Sequence, residues 1–207
     1  MGSSLPEATG EPLVGFIALM ARMRAECAWK AAQTHTSLAR FLLEETHETL
    51  EAIDSGDPEH LREELGDLLL QVYFHAEIAR ESGDFTIDDV VADLAAKMIR
   101  RNPHVFGDRA AGQGAAPSDP ELINEIWQAA KAAEKRRTSV LDGIPPTLPA
   151  LLLADKVLDR LERENGAAPI PDESDEIGDQ LLAVVARART AGVDPEQALR
   201  GAVRRLL

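Results

Sequence analysis

Cysteine and long apolar runs are both scarce in this sequence. Cys27 is the single cysteine, which excludes an internal disulfide and a zinc site built from several cysteines. No apolar run approaches the roughly 20 residues of a membrane-spanning helix. The first ten residues also lack the basic and then apolar pattern of a signal peptide. We therefore expect a cytoplasmic protein with no membrane partner.

Positive charge is also in short supply. Lys and Arg number 22 against 36 Asp and Glu, which gives a formal net charge of -14 at pH 7. Such a chain repels polyanions unless its basic residues are concentrated locally, so we expect no nucleic-acid partner. An acidic protein can still bind a small phosphate ligand when divalent cations lie between its carboxylates and the phosphates. The position of the carboxylate clusters therefore decides which ligands the protein can bind.

Aromatic residues make up only 4% of the chain, and the alternating β-branched runs that are typical of strands are missing. Long segments rich in Ala, Leu, Glu and Arg instead predict an all-α protein. Three Asp-Pro pairs mark helix starts, because aspartate caps the first turn and proline fits the first helical position. Thr86 followed by Asp89 is a weaker signal of the same kind. The predicted helices span residues 12–26, 36–53, 58–81, 87–101, 120–137, 148–164, 174–191 and 195–206, with a loop at 107–119.

An internal repeat suggests that the chain has two related halves. Residues 64–70 (ELGDLLL) are echoed by residues 176–182 (EIGDQLL). The helix before the first copy carries adjacent glutamates, whereas the helix before the second copy does not. We therefore predict a catalytic helical domain over residues 12–140 and an incomplete second repeat over residues 145–207. The two acids of the second copy are expected to be vestigial or to serve packing.

Acidic residues are concentrated on two helices that Gly56 and Asp57-Pro58 join as an antiparallel hairpin. Two pairs with a spacing of three residues form what we call the acidic seam: Glu45 and Glu48 on the first helix, and Glu64 and Asp67 on the second. Gly66 is expected to let the two helices approach closely. An apolar stripe is expected to place the acids at the edge of the hairpin core: Leu61, Leu65, Leu68, Leu69 and Val72.

Four carboxylates along one seam repel each other unless a cation compensates for their charge. Mg²⁺ prefers oxygen ligands and keeps open positions for phosphate oxygens, so we predict Mg²⁺ at the seam, with Mn²⁺ as a possible substitute. Any one acid taken alone is more often part of a solvated helix face. Two such motifs on facing helices favour the metal site.

These motifs resemble those of the MazG family of nucleoside triphosphate pyrophosphohydrolases. The paired acidic motif is Glu44-Glu45-x-x-Glu48 followed by Glu64-x-x-Asp67. Further resemblances follow in order from about residue 15 onward: Cys27-Ala28-Trp29, Gln33-Thr34, residues 62–71, 85–89 and 101–107, Trp127 with Lys131, and residues 148–151. The chain departs from the family at Ala28 and Lys30, where Pro and Asp are common, which leaves the role of this N-terminal loop open.

The resemblance implies an all-α bundle that forms a homodimer. It implies hydrolysis of ribo- and deoxyribonucleoside triphosphates to the monophosphate and pyrophosphate, with broad base tolerance and a housekeeping role in the nucleotide pool. The implied Mg²⁺ ligands are Glu45, Glu48, Glu64 and Asp67. Glu44 would then orient the ligands or position the attacking water.

The resemblance also implies a nucleotide-binding set. Its members are Lys97, Arg101, Trp127 and Lys131. The basic side chains suit phosphate oxygens, and the tryptophan ring can pack against base or ribose. Two other functions stay open: a non-catalytic helical regulatory or interaction module on the same scaffold, and a pyrimidine-specific deoxynucleotide hydrolase. Pyrophosphate release separates the first from an enzyme, and a substrate panel identifies the second.

Overall fold

The computed structural model describes residues 11–106, 119–134, 139–168 and 174–206. All regular structure within these ranges is helical, without a strand, which confirms the predicted all-α class. The chain divides into two compact units, Met1–Ala130 and Lys131–Leu207. Over the same described ranges, no helix is both long enough and apolar enough to cross a membrane.

The helices follow the order predicted from the sequence. They are α1 (Pro12–Glu26), α2 (Ala28–Ala31), α3 (His35–Ser55), α4 (Pro58–Ser82), α5 (Ile87–Arg101), α6 (Pro103–Phe106), α7 (Pro120–Ala133), α8 (Ala150–Asn165), α9 (Ile177–Thr190) and α10 (Pro195–Arg204). All eight predicted helices are present, with small shifts at their ends. The short helices α2 and α6 were not predicted. Residues 107–118 of the predicted loop and residues 135–137 of the fifth predicted helix lie outside the described ranges.

Local capping explains why the hairpin of α3 and α4 forms where the sequence predicts it. Gly56 adopts a left-handed conformation, with φ of 72°, and ends α3. The Asp57 carboxylate then accepts hydrogen bonds from the first backbone N–H groups of α4, and Pro58 occupies the first turn. Thr86 and Asp89 form a complete capping box at the start of α5. The signals at Gly56, Asp57 and Pro58 fix the turn that brings α3 beside α4.

The core of the first unit lies beside the C-terminal half of α4. Its buried members are Met20, Leu38, Tyr73, Phe74, Ala76 and Ile87. The predicted apolar stripe on the N-terminal half of α4 is a different surface, because Leu65, Leu69 and Val72 are 49%, 40% and 39% exposed. Leu61 and Leu68 of the same stripe are half-buried, whereas the other three side chains lie outside the core. These side chains are on a face of α4 that the described part of the unit leaves open.

Gly66 does not have the packing role expected of it. A Cβ atom added at this position would meet no heavy atom of the described residues within 4 Å. The residue is exposed on α4, so the absence of a side chain brings no other backbone closer. The expectation that Gly66 permits close approach of α3 and α4 is wrong.

Arg24 connects three helices of the first unit. It is 7% exposed, and its guanidinium donates to both carboxylate oxygens of Glu81 on α4, at 2.8 and 2.6 Å. A further hydrogen bond of 2.6 Å reaches the carbonyl oxygen of Lys30 on α2. Arg24 lowers the pKa of Glu81, chiefly through the hydrogen bond. The pair therefore stabilises the fold at neutral pH, and this stabilisation is lost as acid protonates Glu81.

Arg24→Gln is expected to lower the free energy of unfolding of the first unit by about 2 kcal/mol, because it removes the charge-assisted hydrogen bonds from the buried guanidinium to Glu81. The matched control is Arg22→Gln on the same helix, which breaks an exposed ion pair with Glu26 and should change stability by less than about 0.5 kcal/mol. Urea denaturation followed by circular dichroism measures both variants. Equal stability of the two variants would contradict the buried role of Arg24.

The second unit is built around α8, α9 and α10, and Leu158 and Val185 are buried in it. Arg189 on α9 donates to Asp155 at 2.6 Å and Glu162 at 2.8 Å, both on α8. Burial opposes the charge of Arg189, but its hydrogen bonds to Glu162 and Asp155 outweigh this and raise its pKa. The acids of α8 are thus compensated by a cation that belongs to the protein.

Candidate active site

Three of the predicted acids meet between α3 and α4. Glu45 and Glu48 lie one helical turn apart on α3, and Glu64 lies on the facing helix. Each offers one carboxylate oxygen, and the three oxygens lie within 4.8 Å of one another. The antiparallel hairpin causes this convergence, because residues shortly before the turn are placed opposite residues shortly after it.

Asp67 completes the acidic seam one turn further along α4. Its influence is visible at Glu45, whose carboxyl pKa is raised first by burial and then by the like charges of Asp67 and Glu48. Asp67 is half-buried and lies outside the group of three oxygens that approach within 4.8 Å. Glu44 is exposed on α3 beside the seam. Negative charge therefore accumulates where α3 faces α4.

The donor set of the seam fits a hard divalent cation. All four side chains offer carboxylate oxygens, and the like charges that raise the pKa of Glu45 are the charges a cation would compensate. His60 Nε2 lies 3.3 Å from a carboxylate oxygen of Glu64, at the edge of the cluster. The carboxylate cluster of Glu45, Glu48 and Glu64 could thus hold a metal ion.

The predicted nucleotide-binding residues lie on α5 and α7. Lys97 is half-buried on α5. Arg101, one turn later, places its guanidinium carbon 5.5 Å from the centroid of the Trp127 ring on α7. This is the distance of a cation–π contact. Arg101, which is predicted to bind phosphate, therefore contacts Trp127, which is predicted to pack against base or ribose. Lys131 follows Trp127 by one turn on α7.

Comparison with known proteins supports the resemblance to the MazG family. The family model of the MazG nucleotide pyrophosphohydrolase domain matches residues 33–106, a range that contains the whole acidic seam. The nucleoside triphosphate pyrophosphohydrolase/pyrophosphatase MazG of Thermotoga maritima is 38% identical over 216 residues, which cover 92% of this chain and 81% of that protein. This chain belongs to the MazG family.

Two more MazG relatives carry the name nucleoside triphosphate pyrophosphohydrolase. The Escherichia coli protein is 35% identical over 218 residues, with 90% of this chain and 81% of that protein covered. The Mycobacterium tuberculosis protein is 45% identical over 197 residues, but these cover 94% of this chain and only 55% of the relative. The similarity therefore extends over both units of this chain.

The MazG seam has two polar supports that sequence reasoning missed. The Thr49 hydroxyl is buried, donates to the carbonyl oxygen of Glu45 at 2.8 Å and lies 3.4 Å from that of Glu64. Gln71 is also buried, and its amide donates to a carboxylate oxygen of Glu45 at 3.4 Å. Spacing was the available signal, since Gln71 follows Asp67 by four residues and shares its helix face.

The second copy of the MazG-like motif has different surroundings. Glu176 is the N-cap of α9, and Asp179 in the first turn accepts a hydrogen bond of 2.7 Å from the Ser174 hydroxyl. Neither belongs to a cluster of three metal-binding side chains within the described residues. Their positions are those of helix-terminal residues, where carboxylates interact favourably with the helix dipole.

Proposed function

We propose that this chain hydrolyses nucleoside triphosphates to the monophosphate and pyrophosphate in the cytoplasm, with Mg²⁺ bound at the acidic seam. The observation that supports this most is the convergence of three carboxylate oxygens within 4.8 Å, in a MazG chain whose relatives are named nucleoside triphosphate pyrophosphohydrolases. Both ribo- and deoxyribonucleotides are proposed substrates, with broad tolerance of the base.

Each element of the site has a separate task in this proposal. Glu45, Glu48, Glu64 and Asp67 would hold Mg²⁺, which when bound neutralises charge on the polyphosphate. Glu44, which is exposed beside them, positions the water that attacks the α-phosphorus. The bond from that phosphorus to the bridging oxygen breaks, and pyrophosphate leaves.

The basic residues bind the phosphate groups in the same proposal. Arg101 donates to phosphate oxygens through a planar guanidinium that the Trp127 ring supports from one side. Lys97 on α5 and Lys131 on α7 add further donors. Positioned cations of this kind act most strongly where charge develops in the transition state. The Trp127 ring also packs against base or ribose.

A product assay on a nucleotide panel tests the reaction itself. The intact chain is incubated with Mg²⁺ and each common ribo- or deoxyribonucleoside triphosphate, and the products are resolved by anion-exchange chromatography. Equal amounts of monophosphate and pyrophosphate are expected with most of the panel. Release of orthophosphate would contradict the proposed bond cleavage. Turnover of pyrimidine deoxynucleotides alone would favour the narrow hydrolase, and no turnover would favour a non-catalytic module.

Metal removal is expected to abolish turnover and to lower stability. Activity should disappear in excess chelator and return with Mg²⁺ or Mn²⁺, because the seam offers only hard oxygen donors. Saturating Mg²⁺ should also raise Tm, since an ion that binds only the folded state stabilises it by mass action. Pyrophosphate release and differential scanning calorimetry measure the two effects. Full turnover in chelator, or an unchanged Tm at saturating metal, would contradict the metal assignment.

We further propose that two copies of the chain associate through an exposed apolar surface of the first unit. The side chains that we propose for this dimer surface are exposed and lie on α3, α4 and α5: Leu42, Leu43, Leu65, Leu69, Val72, Val91 and Leu94. Burial of these side chains by a second copy would stabilise the pair, because apolar surface is unfavourable in water.

Leu94→Glu is expected to shift the protein from dimer to monomer, because it places a charge in the proposed dimer surface. Val203→Glu on α10 is the matched control, since Val203 is 49% exposed and Leu94 is 48% exposed. Sedimentation equilibrium at micromolar concentration measures the mass of each variant. A monomeric wild-type protein, or dissociation by the control alone, would show that this surface is not the interface.

A further inference from the structure

Gln71 places a buried amide beside the acidic seam. The side chain is 4% exposed, and its Nε2 atom donates to a carboxylate oxygen of Glu45 at 3.4 Å. Its other polar atom, Oε1, is buried and has no hydrogen-bond partner in the described part of the chain. The amide therefore reaches from α4 to an acid on α3 with one of its two polar ends unmatched.

Packing alone does not account for an amide at this position. A buried polar atom without a partner is unfavourable, because it loses its hydrogen bonds to water. Methionine has a similar unbranched shape and would fill the same space without a polar atom that needs a partner. The contact that distinguishes glutamine from methionine at position 71 is the hydrogen bond to Glu45.

We propose that Gln71 is a positioning residue, which holds the Glu45 carboxylate in the orientation that directs it toward Glu48 and Glu64. It raises the affinity of the seam for a divalent cation through Glu45 and does not contact the substrate. Freed from this donor, the Glu45 side chain can rotate away from its two like-charged neighbours. The inference rests on the proposed function only in requiring that the seam binds a cation.

Equilibrium binding of Mn²⁺ to the intact chain, without nucleotide, tests the proposal by electron paramagnetic resonance. Gln71→Met is expected to weaken Mn²⁺ binding about 10-fold, the usual scale for losing a residue that orients a metal ligand. Tyr73→Phe is the matched control on the same helix, because it removes the part-buried hydrogen bond from the Tyr73 hydroxyl to the carbonyl oxygen of Leu13. It should leave the Kd for Mn²⁺ unchanged.

A double-mutant cycle shows whether Gln71 acts through Glu45. In a Glu45→Gln background, Gln71→Met should cause no further loss of Mn²⁺ affinity, since the carboxylate that it orients is already gone. Circular dichroism checks each variant, and Gln71→Leu takes the place of any methionine variant that does not fold. An unchanged Kd in the folded single variant overturns the proposal, as does a full additional loss in the double variant.

The same measurements separate this inference from the proposed function. If wild type binds Mn²⁺ and hydrolyses triphosphates but position 71 has no effect, the role of Gln71 alone is wrong. If Gln71→Met weakens Mn²⁺ binding and wild type hydrolyses nothing, the positioning role stands and the enzyme proposal fails. If wild type binds no Mn²⁺, both are wrong.

Discussion

Glu48→Gln is expected to lower kcat by about 100- to 1,000-fold, on the scale of losing one group that stabilises the transition state. The variant keeps the shape of the side chain but removes the charge from one of three oxygens that lie within 4.8 Å of one another. Asp67→Asn should have the same effect, because Asp67 belongs to the same charge cluster and raises the pKa of Glu45. Neither change should unfold the protein, since each relieves repulsion between neighbouring carboxylates.

Steady-state pyrophosphate release at saturating Mg²⁺ measures these losses, and Tm in chelator measures the stability of each metal-free variant. Asp179→Asn is the matched control, because Asp179 occupies the equivalent motif position but accepts a hydrogen bond from Ser174 at the start of α9. It should retain nearly full kcat. A folded Asp179→Asn variant as inactive as Asp67→Asn would show that the second unit takes part in catalysis.

Arg101→Ala is expected to lower kcat/KM by about 100-fold, through both kcat and KM, because in the proposed site the guanidinium would donate charge-assisted hydrogen bonds to a polyphosphate on which charge develops. Lys131→Ala should lower kcat in the same way. Trp127→Phe should mainly raise KM, because in the proposed site the ring would contact base or ribose, where no charge develops. Trp127→Ala should lower kcat as well, since the Arg101 guanidinium lies 5.5 Å from the centroid of this ring.

One nucleoside triphosphate and one Mg²⁺ concentration are sufficient to compare these variants by steady-state kinetics. The comparison of Trp127→Phe with Trp127→Ala isolates the support that an aromatic ring provides for Arg101. Circular dichroism checks that each variant keeps its helices. Wild-type kinetics in folded Arg101→Ala and Lys131→Ala would place the phosphate-binding groups elsewhere, and only the acidic seam of the proposal would then remain.

Helix positions and the acidic motif could be predicted because their signals are local. Asp57, Pro58 and the capping box of Thr86 and Asp89 act on backbone groups within one turn, so a short stretch of chain determines where each helix begins. Gly56 ends α3 for a similarly local reason, since it adopts a left-handed backbone conformation. The meeting of Glu45 and Glu64 then follows from the hairpin that these signals create.

Packing between distant segments could not be predicted in the same way. Leu65, Leu69 and Val72 have the spacing of a core-facing stripe, yet they are exposed, while the core forms further along α4. The same limit applies to Gly66, because the face of α4 that packs against α3 decides whether a side chain at this position would meet another helix. Helical periodicity identifies an apolar face, but it does not identify the element that covers that face.

The sequence by itself determined the all-α class and the helix order, and it predicted the acids of the seam, three of which meet in the structure. It could do so because composition, capping and residue spacing act within a few turns of chain. Only the tertiary structure decided which polar groups support those acids. Spacing places Gln71 on the helix face of Asp67, but its contact with Glu45 lies 26 positions away in the chain and is not reported by that pattern. The contact of Arg24 with Glu81 elsewhere in the first unit spans 57 positions and is equally hidden from local patterns. Such contacts depend on how one packed helix is rotated against another. That rotation is determined jointly by the side chains of the whole unit.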